Sequence, residues 1–120
     1  MNNRILPLLG LLVSLLPGCS RSTLDSLTII APGGQFELGG NRHGAFTVQL
    51  RNVGPVPITV SERRPDGTTD ALGTYRPGRG ETVWFSPDAG VLISNPSGQT
   101  AQVHLVVTGD KNLSMRNLGR

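Results

Sequence analysis

Apolar and polar residues alternate in short stretches along most of this chain, and glycine or proline separates one stretch from the next. The clearest stretch is residues 45–51, in which Phe46, Val48 and Leu50 fall on one side of an extended backbone. Residues 102–108 repeat the pattern. A period of two residues is typical of a strand with one buried face and one face toward water. The pattern therefore predicts half-buried antiparallel strands.

Turn signals divide the rest of the chain in the same way. They predict strands at residues 27–31, 36–38, 45–51, 58–62, 68–75, 81–85, 91–94, 102–108 and 113–117. No stretch after residue 20 has apolar residues at helical spacing. Turn signals at roughly 8–12-residue spacing favour an all-β sandwich of two antiparallel sheets, here with about seven to nine strands. A closed barrel is the alternative, and a membrane-spanning barrel is disfavoured because the strands are too short.

One segment carries a resemblance to a known class of domain. Residues 48–60, VQLRNVGPVPITV, resemble the strand–turn–strand unit of immunoglobulin-like modules in bacterial surface proteins. The resemblance implies an immunoglobulin-like β-sandwich for residues 27–120. It implies nothing about activity, because one fold carries many functions.

The N-terminus carries a different signal. Residues 5–16 are mostly apolar, and the run is shorter than the roughly 20 residues that a membrane-spanning helix needs. Its length suits a secretory signal peptide. The run closes on Leu16-Pro17-Gly18-Cys19, which resembles the lipobox of bacterial lipoproteins, although Pro17 departs from the usual residue at that position. The resemblance implies cleavage before Cys19 and a diacylglyceryl group on its thiol. An ordinary cleaved signal peptide and an uncleaved anchor are the alternatives.

These signals give a domain organisation and a location. We expect a signal peptide at residues 1–18, a lipidated Cys19 with a polar tether at residues 19–26, and the sandwich at residues 27–120. The lipid on Cys19 makes a membrane the first partner. Ser20 after the modified cysteine favours the outer membrane, so the predicted location is the bacterial cell envelope.

Composition excludes several classes of protein. The chain has eleven Lys and Arg and eight Asp and Glu, and this small positive net charge does not indicate a nucleic-acid partner. Cys19 is the only cysteine, so no disulfide within the chain can support the domain. The domain must be held by packing alone.

Candidate chemistry is sparse. His43 and His104 are the only histidines, and no third ligand stands at a spacing that suits a metal. We expect two exposed imidazoles and no metal or other cofactor. No nucleophile, metalloprotease or phosphate-binding motif occurs in the chain, so we do not expect an enzyme.

Trp84 is the most informative single side chain, and two registers are open for it. In one register Val83 and Phe85 point into the core, and Trp84 is an exposed platform for a sugar ring or a protein partner. We favour the other register, which buries Trp84. Should Trp84 be exposed, it is the candidate ligand contact, with Tyr75 and Arg76 as an extension, although a solvated turn is the expected role of those two.

The resulting expectation is a lipid-anchored envelope protein with a non-catalytic binding or structural role. Its partner would be an envelope protein or a glycan. The alternatives are a small envelope hydrolase, a carbohydrate-binding accessory domain with an unrecognised site, and a secreted domain without lipid.

Overall fold

The computed structural model of the protein describes residues 23–118, which form nine β-strands. The strands are β1 (Leu24–Ile30), β2 (Gln35–Leu38), β3 (Phe46–Asn52), β4 (Ile58–Arg63), β5 (Thr69–Tyr75), β6 (Gly80–Phe85), β7 (Gly90–Ser94), β8 (Ala101–Gly109) and β9 (Met115–Leu118). The predicted signal peptide, the lipobox and Cys19 lie outside the described residues. Within residues 23–118, no helix is long and apolar enough to cross a membrane.

Two antiparallel sheets form a sandwich. Sheet A has the order β1-β8-β3-β6, and sheet B has the order β5-β4-β7-β2-β9. The pairings are nested, because β1 pairs with β8, β2 with β7, β3 with β6 and β4 with β5. Eight strands nested in this way across two sheets form a jelly roll, to which β9 adds a further strand beside β2. The predicted all-β sandwich is confirmed.

The immunoglobulin-like connectivity needs correction. In an immunoglobulin domain the first two strands lie side by side in one sheet, whereas here β1 and β2 belong to opposite sheets. Residues 48–60, which carried the resemblance, do form a strand–turn–strand unit. That unit crosses from β3 in sheet A to β4 in sheet B, as the nested connectivity requires.

The core lies between the inner faces of the two sheets, where the alternating pattern predicted it. All six residues predicted to point inward in the two clearest stretches are buried: Phe46, Val48, Leu50, Val103, Leu105 and Val107. Phe46 stacks on Phe85 with ring centroids 5.1 Å apart, and this pair sets the register between β3 and β6. Burying a side chain of this size contributes about 2–3 kcal/mol.

The strands run between two ends of the sandwich, which we name after the ends of β1. The Leu24 end carries the loops at residues 39–45, 64–68, 86–89 and 110–114, and the Ile30 end carries those at residues 31–34, 53–57, 76–79 and 95–100. Buried asparagines hold two loops at the Ile30 end: Asn52 Nδ2 donates to the carbonyl of Val56 at 2.8 Å, and Asn95 Nδ2 to that of Gln99 at 2.7 Å. These bonds satisfy loop carbonyls that the sheets leave unpaired.

The first strand begins earlier than predicted. β1 starts at Leu24, so the last three residues of the predicted tether belong to sheet A. Ser26 and Thr28 share the inward side of β1, and their hydroxyls lie 3.1 Å apart in hydrogen-bonding contact. Because these two inward residues are polar, the start of the strand lacks the alternating apolar pattern. The strand forms nevertheless, because β8 supplies its backbone hydrogen-bond partners.

Candidate functional site

The outer face of sheet A is built from the polar positions of its alternating strands. The register places Thr47 between Thr108 and Trp84 in one row of side chains across the sheet. The next row toward the Ile30 end places Gln49 between Val106 and Thr82. One row further, Arg51 lies between His104 and Gly80. Rows on one face of a strand are about 7 Å apart, so the three rows cover about 14 Å.

Large apolar side chains are exposed on this face. Among the described residues, the exposed large hydrophobic side chains are Leu27 (57%), Ile29 (50%), Val53 (46%) and Trp84 (64%). Leu27 and Ile29 lie opposite His104 and Gln102, whose side chains point outward from β8. Val53 follows the inward Asn52 and donates its N–H to the carbonyl of Gln102 at 3.0 Å. All four therefore lie on the outer face of sheet A, whereas isolated exposed apolar residues are ordinarily scattered.

The favoured register for Trp84 is wrong. Phe85 has no exposed surface and Trp84 is 64% exposed, which is the reverse of the expected arrangement. Phe85 pairs with Phe46 on the inner face, and this contact forces the neighbouring Trp84 outward opposite Thr47. When two aromatic residues are adjacent in a strand, the sequence does not show which of them points into the core. The packing against the partner strand determines this.

A shallow hollow occupies the middle of the outer face. It has a volume of about 440 Å³, and the side chains of Gln49, Arg51, Thr82 and His104 contribute to its lining. A smaller hollow of about 200 Å³ shares Gln49 and Thr82 with it and extends toward Thr47, the neighbour of Trp84. The two hollows together therefore lead from the row of Arg51 to the row of Trp84.

Gly80 shapes the edge of the larger hollow. It pairs with Arg51 but presents no side chain, so the hollow is open on that side. A Cβ atom at Gly80 would lie 2.2 Å from the carbonyl oxygen of Leu50, which no side chain can tolerate. Close approach of the β3 backbone therefore requires glycine at this position.

The two histidines have different surroundings. His104 points outward as predicted, and its Nε2 lies 2.6 Å from Asp25 Oδ1. His43 departs from the expected exposed imidazole, because it is half-buried and packs edge-on against Phe46 with centroids 5.1 Å apart. Its Nδ1 lies 2.6 Å from the carbonyl of Gly44, and its Nε2 lies 3.1 Å from that of Gly39. Residues 23–118 contain no group of three His, Cys, Asp or Glu that could hold a metal ion.

Tyr75 does not join Trp84 in one platform. The Tyr75 hydroxyl donates to Glu81 Oε1 at 2.5 Å, which links β5 of sheet B to β6 of sheet A at the Ile30 end. Burial, followed by this hydrogen bond, raises the pKa of Tyr75 to about 12. Trp84 lies near the other end of β6, on the outer face. The Tyr75 phenol therefore bridges the two sheets at the side of the sandwich, and its hydroxyl is engaged by Glu81.

Arg76 is placed closer to the candidate site. It is exposed in the loop between β5 and β6, where Arg76, Arg79 and Gly80 line a hollow of about 290 Å³. Gly80 also lines the larger hollow on the outer face, so the two hollows meet at this glycine. The sequence missed Gln49, Arg51 and Thr82, although the outward positions of the best predicted strands already carried the signal for the first two.

The outer face of sheet B is different. Strand β2, between β7 and β9, carries Glu37, whose side chain is only 2% exposed and forms ion pairs with Arg63 and Arg116. The Arg116 Nε atom lies 3.2 Å from Glu37 Oε1. Two glycines make room for the cluster, because a Cβ at Gly40 would lie 2.5 Å from Glu37 Oε1 and one at Gly90 would lie 2.9 Å from Arg63 Nη2. The carboxylate is thus buried by partners of this same chain.

Comparisons with known proteins assign the chain to no family. No protein-family model matches the chain, and no curated protein matches it. Among solved structures, the chain is similar to the crystal structure of the Yersinia pseudotuberculosis-derived mitogen (YPM). The two are 11% identical over 78% of this chain and 95% of that chain, with a TM-score of 0.46. A likeness this distant carries no argument about function.

Proposed function

We propose that the chain is a lipid-anchored protein of the bacterial envelope with a non-catalytic binding role, and that it binds a glycan on the outer face of sheet A. The observation that carries the binding role is the concentration of exposed large hydrophobic side chains on that one face, with Trp84 opposite Thr47, which lines the smaller hollow. An exposed indole next to hydrogen-bonding side chains combines the apolar and polar groups that ligand-binding surfaces commonly present.

A glycan suits the chemistry of the face. Sugars present apolar C–H surfaces and hydroxyl groups together, and the indole of Trp84 offers a flat apolar surface of matching kind. Thr47 and Thr82 supply hydroxyl groups in the adjoining hollow, and Gln49 supplies an amide that both donates and accepts. The alternation of the strands holds these groups at fixed spacing, so a ligand would meet a preformed surface.

A non-catalytic role is supported by the carboxylates near the hollow. Cleavage of a glycosidic bond ordinarily requires two carboxyl groups on opposite sides of the bond. Among the described residues that line the larger hollow, Glu81 is the only acid, and it accepts the hydrogen bond of Tyr75. Asp25 stands nearby on β1 and contacts His104. Each of these two acids therefore already has a partner, and they do not form a pair of carboxyl groups facing each other across the hollow.

The lipid anchor rests on Leu16-Pro17-Gly18-Cys19. From Cys19 to the first strand residue, Leu24, the chain spans at most about 17 Å when fully extended. A lipid on Cys19 would therefore keep the Leu24 end of the sandwich close to the bilayer. Because β1 belongs to sheet A, the binding face would stand beside the membrane and extend away from it.

Affinity electrophoresis of the full chain, purified in detergent, tests the binding role. Gels containing dextran, methyl-esterified pectin or polygalacturonate should retard the native chain in at least one case. Trp84→Ala should weaken that retardation by about tenfold, since a stacked aromatic side chain commonly contributes about 1–2 kcal/mol. Thr69→Ala, at an exposed position on β5 of sheet B, serves as the control. Equal migration in all three gels would contradict the proposal.

The anchor has its own test. Cys19→Ala should abolish the mass increase of several acyl chains in the mature protein and release the chain from the membrane fraction, because stable attachment requires at least two chains. Ser20→Ala leaves the thiol in place and is the matched control. Retention of the Cys19→Ala protein in membranes, with full maturation, would rule out the anchor.

A second candidate, binding to an envelope protein, is favoured by one observation. Ile29 and Val53 flank Gln102 in a single row at the Ile30 end, and Leu27 stands beside them. This apolar cluster lies away from Trp84 and suits a protein surface better than a sugar. Leu27→Ser should disrupt a protein complex recovered by crosslinking and leave glycan retardation unchanged.

A further inference from the structure

We infer that the glycan is anionic, and that Arg51, Arg76 and Arg79 hold its carboxylate, phosphate or sulfate group at the Ile30 end of the outer face. This inference rests on the proposed function and names the class of ligand for the same site. It is carried by the convergence of three arginines on Gly80, where two hollows meet.

The backbone brings the three arginines together. Arg51 lies directly opposite Gly80 in the ladder between β3 and β6, and Arg79 immediately precedes Gly80. The Arg79 N–H donates to the carbonyl of Arg76 at 2.9 Å, which closes the turn between β5 and β6. This turn is also fixed to β3, because the Asn52 N–H donates to the carbonyl of Arg79 at 2.8 Å. The cluster is therefore built on a constrained loop.

The charges of the cluster lack partners. Of the other four described arginines, three are matched by acids: Arg63 and Arg116 pair with Glu37, and Arg64 pairs with Asp70, whereas Arg42 forms no ion pair. Within residues 23–118, none of Arg51, Arg76 and Arg79 forms an ion pair with a carboxylate. A single exposed arginine without an acidic partner is common. Three such arginines around one glycine concentrate positive charge in a concave part of the surface.

One acid stands within this region, and it does not neutralise the cluster. Glu81 lines the larger hollow and accepts the Tyr75 hydroxyl at 2.5 Å, which directs one carboxylate oxygen toward the side of the sandwich. Three arginines and one glutamate leave a formal charge of +2. His104 also lines the hollow, and its contact with Asp25 keeps that second acid on the β1 side. The charge balance therefore favours an anion.

The chemistry of guanidinium groups narrows the ligand further. A guanidinium presents planar pairs of N–H donors that match the oxygens of a carboxylate, phosphate or sulfate. The row of Gly80 and the row of Trp84 are separated by four residues of β6, or about 13 Å. A polysaccharide with a repeating acidic group is long enough to place a sugar ring on Trp84 while its anion contacts the arginines.

Matched polysaccharides test the inference on the full chain in detergent. Polygalacturonate and its methyl ester differ in the carboxylate, dextran sulfate and dextran differ in the sulfate, and phosphomannan and mannan differ in the phosphate. We expect the anionic member of at least one pair to bind at least tenfold more tightly. Its affinity should fall as salt rises, because exposed charges are screened. The pair with the largest ratio identifies the anion.

Substitutions then assign the contact. Arg51→Gln, Arg76→Gln and Arg79→Gln should each weaken binding of the preferred anionic polysaccharide about fivefold, and the triple variant about a hundredfold, without weakening its neutral counterpart. Arg42→Gln, an exposed arginine at the Leu24 end, is the control and should change neither. Circular dichroism and thermal unfolding of the triple variant should match those of the native chain.

The outcomes separate this inference from the proposed function. If the triple variant binds every polysaccharide as the native chain does, while Trp84→Ala weakens binding, the anionic contact is excluded and the glycan-binding role stands. If the neutral member of each pair binds as tightly as the anionic one, the inference is likewise overturned. If neither Trp84→Ala nor the triple variant changes any retardation, both proposals fail.

Discussion

The two outer faces of this sandwich belong to similar sheets and differ in how their polar groups are satisfied. On sheet B, Glu37 is buried under Arg63 and Arg116, and the Gln35 amide donates to Ser94 Oγ at 2.9 Å. On sheet A, Trp84 is exposed, and Arg51 has no acidic partner in the described part of the chain. The comparison teaches that the polar groups of sheet B are matched within the chain, whereas the outer face of sheet A leaves Trp84 exposed and Arg51 without an acid among the described residues.

The sharpest form of the comparison uses two neighbours in β6. Phe85→Ala should lower the free energy of unfolding by about 3–5 kcal/mol, because it removes a fully buried ring that stacks on Phe46. Trp84→Ala should change it by no more than about 0.5 kcal/mol, because its side chain faces water. Urea unfolding measures both values. A large loss from Trp84→Ala would show that the indole supports the core after all.

The next largest effect concerns the outer face of sheet B. Arg63→Ala should destabilise the protein by about 3 kcal/mol, because it leaves the buried Glu37 carboxylate with only the more exposed Arg116. Arg51→Ala, at an exposed position on the outer face of sheet A, should destabilise the protein by less than about 0.5 kcal/mol. Chemical denaturation of the pair provides the measurement. Equal effects would mean that the two faces do not differ in the way described.

A smaller effect follows from the link between the sheets. Tyr75→Phe removes the hydrogen bond to Glu81 and should destabilise the protein by about 1 kcal/mol at neutral pH. The pKa of Tyr75 is raised to about 12 from its ordinary value of 10.0, so the unfolded chain releases this proton first as pH rises. Stability from Tyr75 is therefore fully present below pH 10 and is lost between pH 10 and pH 12.

The pH dependence of this link is directly measurable. Tyr75 is the only tyrosine of the chain, so the ultraviolet absorbance of phenolate follows its ionisation alone. The native chain should ionise well above the pH at which the denatured chain does. Tyr75→Phe should remove the corresponding fall in stability at alkaline pH. Superimposable titrations of the native and denatured chain would contradict the placement of the phenol.

The sequence predicted the strands and much of the core because their signal is local. Alternation in β3 and β8 depends only on neighbouring residues, and both strands have the predicted inward residues. The order of strands in the two sheets is a long-range property, since turn residues do not state whether a chain pairs with its neighbour or crosses to the opposite sheet. The immunoglobulin-like resemblance failed for this reason.

The candidate site was only partly predictable. Trp84 was identified as a candidate contact, but its exposure depends on the contact between Phe85 and Phe46 in the next strand. The cluster at Gly80 needs Arg51 from β3 and Arg79 from the loop before β6. These two residues are brought together only by the pairing of β3 with β6. The burial of Glu37 likewise depends on arginines in two distant strands. Such groupings have no signature in a single stretch of sequence.

The most direct test of the central claim uses the fluorescence of Trp84, which is the only tryptophan of the chain. Quenching by acrylamide should be efficient in the free full chain, because the indole is exposed on the outer face of sheet A. Saturating polygalacturonate or its methyl ester should protect the indole and shift its emission to shorter wavelength if either is bound as proposed. An indole that is shielded in the free chain, or that stays equally quenchable with every polysaccharide tested, would contradict the account.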